Sequence, residues 1–281
     1  MMQPLSRKRR TWYLLACFVI FIIMAPVIIL YATGYRLGES FQITRTGGLY
    51  IASAYSGAQI YVDDIFIKET RLFQKNALIQ NLKPGLYKVR VTKDGLYDWE
   101  KELRVFTETV TDAHSFMLPR EITLIEITPT IQDEENASSS IKKVEKNPQY
   151  EIVLELFNPK NIASSTEPKI LGKLSLENIS GQIHAIWLGK EESRPTYFCL
   201  TEVCRDEVTL KTGGRVGSFD FFPGRDDLVV LALPSGIYVS EIDDRSKQNI
   251  QPIIEGSNLD FRIENNSIYI KDGKKYYQVS F

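Results

Sequence analysis

The sequence predicts an all-β protein held behind one N-terminal transmembrane helix. Three observations lead there. An apolar run without a charged residue extends from Trp12 to Tyr31. Beyond it no long helical period is found, and short apolar segments alternate with Gly, Asn, Asp and Pro. Inside those segments apolar residues recur at every second position, the spacing of strands with one face in a core.

The helix comes first. At 1.5 Å rise per residue, roughly 20 residues cross a hydrocarbon layer of roughly 30 Å, and in lipid a helix satisfies its own backbone hydrogen bonds. Arg7, Lys8, Arg9 and Arg10 directly precede the run. Cations resist translocation, so residues 1–11 read as a cytoplasmic tip, 12–32 as the span, and the remainder as extracytoplasmic. Trp12 and Tyr31 bracket the run as interfacial aromatics do, and Pro26 within it is tolerated by membrane helices. The rival reading is a cleaved secretory signal with its cut after Gly34. The apolar core of such signals is about 7–15 residues, shorter than this run, so length favours the anchor.

The chain has 281 residues, a formal net charge of −1 and 43 % hydrophobic residues. That hydrophobic content can bury a core. The basic cluster is confined to the tip, and no basic stripe follows it, so nucleic acid is not an expected partner. Of the three cysteines, Cys17 lies in the apolar run and is inert there. Cys199 and Cys204 are close enough to tie a hairpin by a disulfide in an oxidising compartment. A metal site would need a further Cys or His pair nearby, and the sequence has none. No cofactor is implied.

The first β unit runs over 47–118. Leu49, Ile51 and Ser53 share one strand face; Ala58, Ile60 and Val62 share another, with Gln59, Tyr61 and Asp63 opposite. Tyr87, Val89 and Val91 alternate with Lys88 and Arg90, and Leu103 and Val105 continue the pattern. Asp63-Asp64, Pro84-Gly85 and Asp94-Gly95 supply the turns, with Gly85 free to take positive φ.

The second region runs over 120–281. Its polar stretches at 132–149 and 158–169 read as exposed loops. Ile122–Ile131 and Tyr150–Phe157 read as strands able to pair. From Gly181 onward, units beginning near Ile183, Phe219 and Leu259 resemble one another at spacings of about 36–41 residues, near the period of one class of propeller repeat. Each reads as an opening strand, a polar turn, an apolar strand and a closing strand, with TYFCL among the strands and room for about four units in all. A small or partial β-propeller is the leading architecture, and a plain β-sandwich the alternative.

Within 47–118 the order of turn motifs resembles a PEGA domain. The matching blocks are Ser53-Ala54-Tyr55-Ser56-Gly57-Ala58, the strand Gln59-Ile60-Tyr61-Val62-Asp63-Asp64, Leu82-Lys83-Pro84-Gly85, and Lys93-Asp94-Gly95-Leu96-Tyr97. Tyr55 stands where proline is usual, Asp64 replaces the turn glycine, and Lys68-Glu69-Thr70-Arg71 only partly matches the Gly-x-Thr-Pro turn. The resemblance implies a small β-sandwich in an extracytoplasmic bacterial protein. It implies a fold and no catalytic signature. The C-terminal region looks like a divergent relative of bacterial propeller repeats.

Chemistry is sparse. The two histidines, His114 and His184, fall in different predicted regions, and a lone histidine lacks the orienting partner a working base needs. Asp226-Asp227 and Asp243-Asp244 could form a carboxylate site, but turn residues are the simpler reading. Asp133, Glu134 and Glu135 fit a solvated loop. Thr212-Gly213-Gly214 is an isolated loop signal. The Asn-x-Ser sequons at Asn136, Asn178 and Asn265 read as chance. No nucleophile elbow, phosphate loop or zinc-protease motif occurs, so no catalytic or metal-binding residue is expected and the chain does not read as an enzyme. Tyr50, Tyr55, Tyr61, Tyr97 and Trp99 are candidate binding aromatics, against the alternative that they pack the unit's ends. Phe219, Phe221 and Phe222 read as core. The expected role is a membrane-anchored module that contacts envelope polysaccharide or protein. The alternative is an envelope hydrolase with a carboxylate site in the C-terminal domain.

Overall fold

The computed structural model describes residues 7–32, 35–37, 43–131, 145–158, 167–199 and 203–281. Gly34, the acidic residues 133–135 and the sequon at Asn136 fall outside them, as do most of the two polar stretches.

One apolar helix is followed by a β-rich region in several separate sheets, none a closed barrel. Helix α1 (Arg7–Ala32) contains Pro26 and has no buried residue. It is long and apolar enough to cross a membrane. The strands follow: β1 (Tyr35–Leu37), β2 (Ile43–Arg45), β3 (Gly47–Ser53), β4 (Gln59–Val62), β5 (Ile65–Glu69), β6 (Asn76–Leu82), β7 (Gly85–Thr92), β8 (Trp99–Val105) and β9 (Val110–Ser115). Next come β10 (Thr123–Glu126), β11 (Thr130–Ile131), β12 (Glu145–Lys146) and helix α2 (Pro148–Leu156). The chain ends with β13 (Lys169–Leu171), β14 (Leu174–Ile179), β15 (Gln182–Trp187), β16 (Glu207–Thr209), β17 (Phe219–Phe221), β18 (Leu228–Leu233), β19 (Gly236–Glu241), β20 (Ile250–Glu255), β21 (Leu259–Glu264), β22 (Ser267–Asp272) and β23 (Lys275–Ser280).

The chain divides into two compact units. The first comprises Met1–Ala52, Asn76–Tyr87 and Arg104–His114. It holds α1, the β1–β2 hairpin and the sheet of order β6-β3-β9. Leu49 and Ile51 of β3 are fully buried, as their alternation requires. Gly47 and Gly48 are dictated by close approach: a Cβ at Gly47 would sit 2.0 Å from the Phe106 carbonyl oxygen, and one at Gly48 would sit 2.9 Å from that of Ile79.

The second unit comprises Ser53–Lys75, Lys88–Leu103 and Ser115–Phe281. Strands β4 and β5 and most of β7 and β8 belong to it, in a sheet of order β5-β4-β7-β8. Asp63 and Asp64 both take positive φ (49° and 62°) between the paired residues Val62 and Ile65. Two left-handed residues in a two-residue loop give the tight hairpin the sequence proposed. Asn265 and Asn266 repeat the device (φ 48° and 64°) between β21 and β22. Gly85 starts β7 without using the positive φ open to it, and Asn81 within β6 takes one (φ 64°). Residues 83–84 join strands of two different sheets and close no hairpin.

Among the described residues three four-stranded antiparallel sheets follow in the second unit: β13-β14-β15-β16, β17-β18-β19-β20, and β10-β23-β22-β21. The last is completed by a strand from earlier in the chain. One apolar core joins the first two sheets, with Leu176, Ile183, Phe198, Phe219, Val229 and Leu231 among its buried members.

The segment Tyr150–Phe157 is helical, not a strand. Asn147 caps it, accepting a hydrogen bond from the Gln149 N–H (3.0 Å), with Pro148 in the first turn. Val153 and Phe157 are buried with Ile127, Tyr269 and Tyr276. An eight-residue apolar run cannot by its period alone be told from a strand, and here the cap decides. Its proposed pairing with residues 122–131 falls with it: β10 pairs with β23 and β11 with β12. The TYFCL segment is also no strand, since Thr196–Phe198 form a 3₁₀ turn.

Candidate functional site

Strand β8 carries the most highly charged interior of the second unit. Its burial alternates strictly, with Trp99, Lys101, Leu103 and Val105 inward. Lys101 is therefore driven inside by the strand period, and its side chain has no exposure. Its Nζ lies 2.7 Å from Glu241 Oε1 and 3.3 Å from Asp243 Oδ2, and donates to the Asp243 carbonyl at 2.6 Å. Glu241 ends β19; its other oxygen accepts from Trp99 Nε1 at 2.9 Å, and Oε1 also accepts from the Asn249 backbone and side-chain amides at 2.7 and 2.8 Å. Arg245 forks onto Asp243 at 2.8 Å and 3.0 Å.

The electrostatics follow from this geometry. Burial pushes the Glu241 carboxyl up, against the pull of Lys101. Burial also pushes Asp243 up, but hydrogen bonds and charge from Arg245, with charge from Lys101, outweigh it and hold that carboxyl below the usual range. Buried charges survive only when paired and hydrogen-bonded, and each one here is. The cluster is a clasp that fixes β8 to the loop after β19. Nothing in the sequence motifs pointed to Lys101; the available signal was a lysine at an inward position of an alternating strand.

The candidate aromatics separate. Trp99 is fully buried in the clasp, which corrects its assignment as a surface binding residue. A period-two count back from Leu103 places it inside. Tyr55, Tyr61 and Tyr97 are partly buried, and each meets its own cation. Lys93 lies 5.4 Å from the Tyr55 ring centre, Arg90 4.7 Å from that of Tyr61, and Arg120 5.0 Å from that of Tyr97. Tyr50 accepts from the Asn76 amide at 2.9 Å. Other apolar side chains of this region are more exposed, among them Ile65, Phe66, Leu72 and Phe73.

Cys199 and Cys204 are joined in a disulfide. Beside it, Arg205 donates to Asp244 at 2.6 Å, and Arg194 pairs with Asp206. Among the described residues the buried Tyr197 hydroxyl has no hydrogen-bond partner. Burial first, then the nearby Asp226, Asp227 and Asp243, push its ionisation far above the ordinary tyrosine value. Of the paired acids, Asp227 is held bidentate by Arg225 at 2.6 Å, while Asp226 is exposed. His184 Nδ1 pairs with Glu207, and Thr209 Oγ1 lies 3.3 Å from it. His114 lies in the other unit. Among the described residues no group of three or more His, Cys, Asp or Glu is placed to hold a metal ion.

An open cleft of about 880 Å³ lies along the Ser180-Gly181 turn and the loop of residues 211–216. Thr212, Gly213 and Gly214 are in that loop, and the Thr212 hydroxyl donates to the Gly214 carbonyl at 2.8 Å. The lining carries Lys211 and Arg215 and no carboxylate. Its chemistry suits recognition of polar or anionic groups and offers no acid–base pair.

No family model matches this chain, and no curated protein matches it.

Proposed function

We propose that the protein is a single-pass, membrane-anchored module of the cell envelope, with its N-terminus cytoplasmic and its β units extracytoplasmic, where they bind or brace envelope polysaccharide or protein. The observation that carries this reading is α1: 26 residues, apolar from Trp12 onward, none of them buried by protein. That surface suits a lipid environment, where a helix satisfies its own backbone. Arg7 to Arg10 at its start favour a cytoplasmic N-terminus. Within this reading 47–118 is taken as PEGA-like from its turn motifs alone, and 120–281 as propeller-like from its sequence spacing. Display on a rigid scaffold is the mechanism, and the cationic cleft at Lys211 and Arg215 is the recognition surface it offers.

Alkaline extraction of membranes tests the anchor. The full chain stays in the pellet, and Ile22→Asp moves a large share into the wash. Equal extraction of both contradicts the proposal. Sedimentation of the detergent-solubilised full chain with purified envelope polysaccharide tests binding. Retention that drops in a Lys211→Ala/Arg215→Ala variant supports the cleft. No sedimentation with polysaccharide assigns the module to protein partners.

A further inference from the structure

The first unit carries exposed apolar side chains beyond its helix: Leu78 (52 %), Leu86 (54 %) and Val110 (53 %). Their positions along the fold differ. Tyr35 follows the end of α1 at Ala32 by three residues and pairs with Arg45. The β1–β2 hairpin therefore returns the chain to the point where it left the helix. Gly47 comes two residues later and pairs with Leu82, and the Gly48 N–H donates to the Thr109 carbonyl at 3.0 Å. From the extended-chain limit per residue and the spacing of paired strands, Thr109 lies within about 30 Å of the helix end.

The turn before Val110 is locked to this leash. The Glu108 N–H donates to the Thr46 carbonyl at 2.9 Å, and its carboxylate pairs with Arg45 at 3.4 Å. Glu108 takes a φ of 60°, a left-handed geometry that a non-glycine residue keeps only when its surroundings enforce it. The absence of a side chain at Gly47 lets this turn lie directly on β3. Leu86 sits four residues past Leu82, beside the exposed Lys83, whose carbonyl accepts from the Tyr87 hydroxyl at 2.9 Å. Leu, Lys and Tyr together are the composition of a membrane–water interface. Leu78 is as apolar and as exposed, but β6 sets it four residues from Leu82 in the direction away from the leash.

We infer that Leu86 and Val110, with Lys83, form a collar that rests on the bilayer α1 enters, so that the first unit is docked on the lipid surface and not merely tethered to it. This rests on the proposed anchoring of α1. Its occupant is an anionic lipid surface: the leash keeps the collar within reach of the headgroups, and Lys83 supplies the complementary charge.

The test uses the full chain, disulfide oxidised, reconstituted in phosphatidylcholine/phosphatidylglycerol nanodiscs. A fluorophore is placed on native Cys17, or in a Cys17→Ser background on Leu86→Cys, Val110→Cys or Leu78→Cys. Interfacial side chains sit about 5–10 Å into the headgroup boundary, so nitroxide-lipid quenching is expected to remove about half the emission at 86 and 110, and little at 78. Exchanging phosphatidylglycerol for phosphatidylcholine reduces the quenching at 86. If Cys17 is quenched by lipid while 86 and 110 stay as open to aqueous iodide as in detergent, the anchor stands and the collar is overturned. If position 17 is not quenched by lipid, the anchoring itself fails and the collar with it. Shielding of 86 and 110 from iodide without lipid quenching, growing with protein density, makes a second copy the occupant and also overturns the proposal.

Discussion

Helix α1 and strand β18 are both runs of apolar side chains, and the fold treats them in opposite ways. All six residues of β18, from Leu228 to Leu233, are buried, and Val229, Leu231 and Leu233 enter the core its sheet shares with the preceding one. None of the 26 residues of α1 is buried. Composition does not separate them; what covers them does. The strand's backbone groups pair with β17 and β19, so it can be sealed inside protein. The helix satisfies its own backbone and needs no neighbouring strand, and it is long and apolar enough to cross a membrane.

Charge breaks this comparison most forcefully. An aspartate in place of Leu231 buries an unpaired carboxylate in the shared core, at a cost of at least about 4 kcal/mol. The expected result is loss of the cooperative thermal transition followed by circular dichroism. The same residue at Ile22 is expected to leave that transition unchanged, because the Ile22 side chain is exposed. It costs about 3 kcal/mol of membrane insertion instead, read as loss from the alkaline-washed pellet.

The next largest effect probes the clasp, an interior that holds paired charge. Lys101→Met leaves Glu241 and part of the Asp243 demand unpaired in a site closed to water. It is expected to lower stability by about 3–5 kcal/mol, measured by denaturant unfolding of the detergent-solubilised chain. Removing the disulfide is milder. Cys199→Ser/Cys204→Ser opens a short loop, and chain entropy gives a loss of about 2 kcal/mol in the same assay. The smallest effect is at the surface. Glu207 is half exposed, so Glu207→Gln, which weakens its pairing with His184, changes stability by less than about 1 kcal/mol.

Much of the fold was legible in single residues. Asp63-Asp64 specified a hairpin because both residues tolerate left-handed backbone. The alternation of Leu49 with Ile51, and of Ile60 with Val62, specified inward faces that the structure buries. The misreadings have physical causes. Tyr150–Phe157 is short and rich in β-branched and aromatic residues, and only the Asn147-Pro148 cap distinguishes it from a strand. Pro84-Gly85 marks a bend without fixing which residue takes a left-handed geometry: Gly85 is free to and does not, while Asn81 does so inside β6. The clasp was the least legible feature. Lys101 meets Glu241 across 140 positions of sequence, and no local pattern encodes a partner at that distance. What could have been read was the strand period itself, which puts Trp99 and Lys101 on the face of Leu103.

Digestion of intact cells tests the central claim most directly. The chain carries one epitope before Arg7 and another after Phe281, and protease is added from outside before and after permeabilisation. The account predicts that the C-terminal epitope is lost from intact cells while the N-terminal one survives until the membrane is opened. Survival of the C-terminal epitope in intact cells, with loss of the N-terminal one, would contradict it.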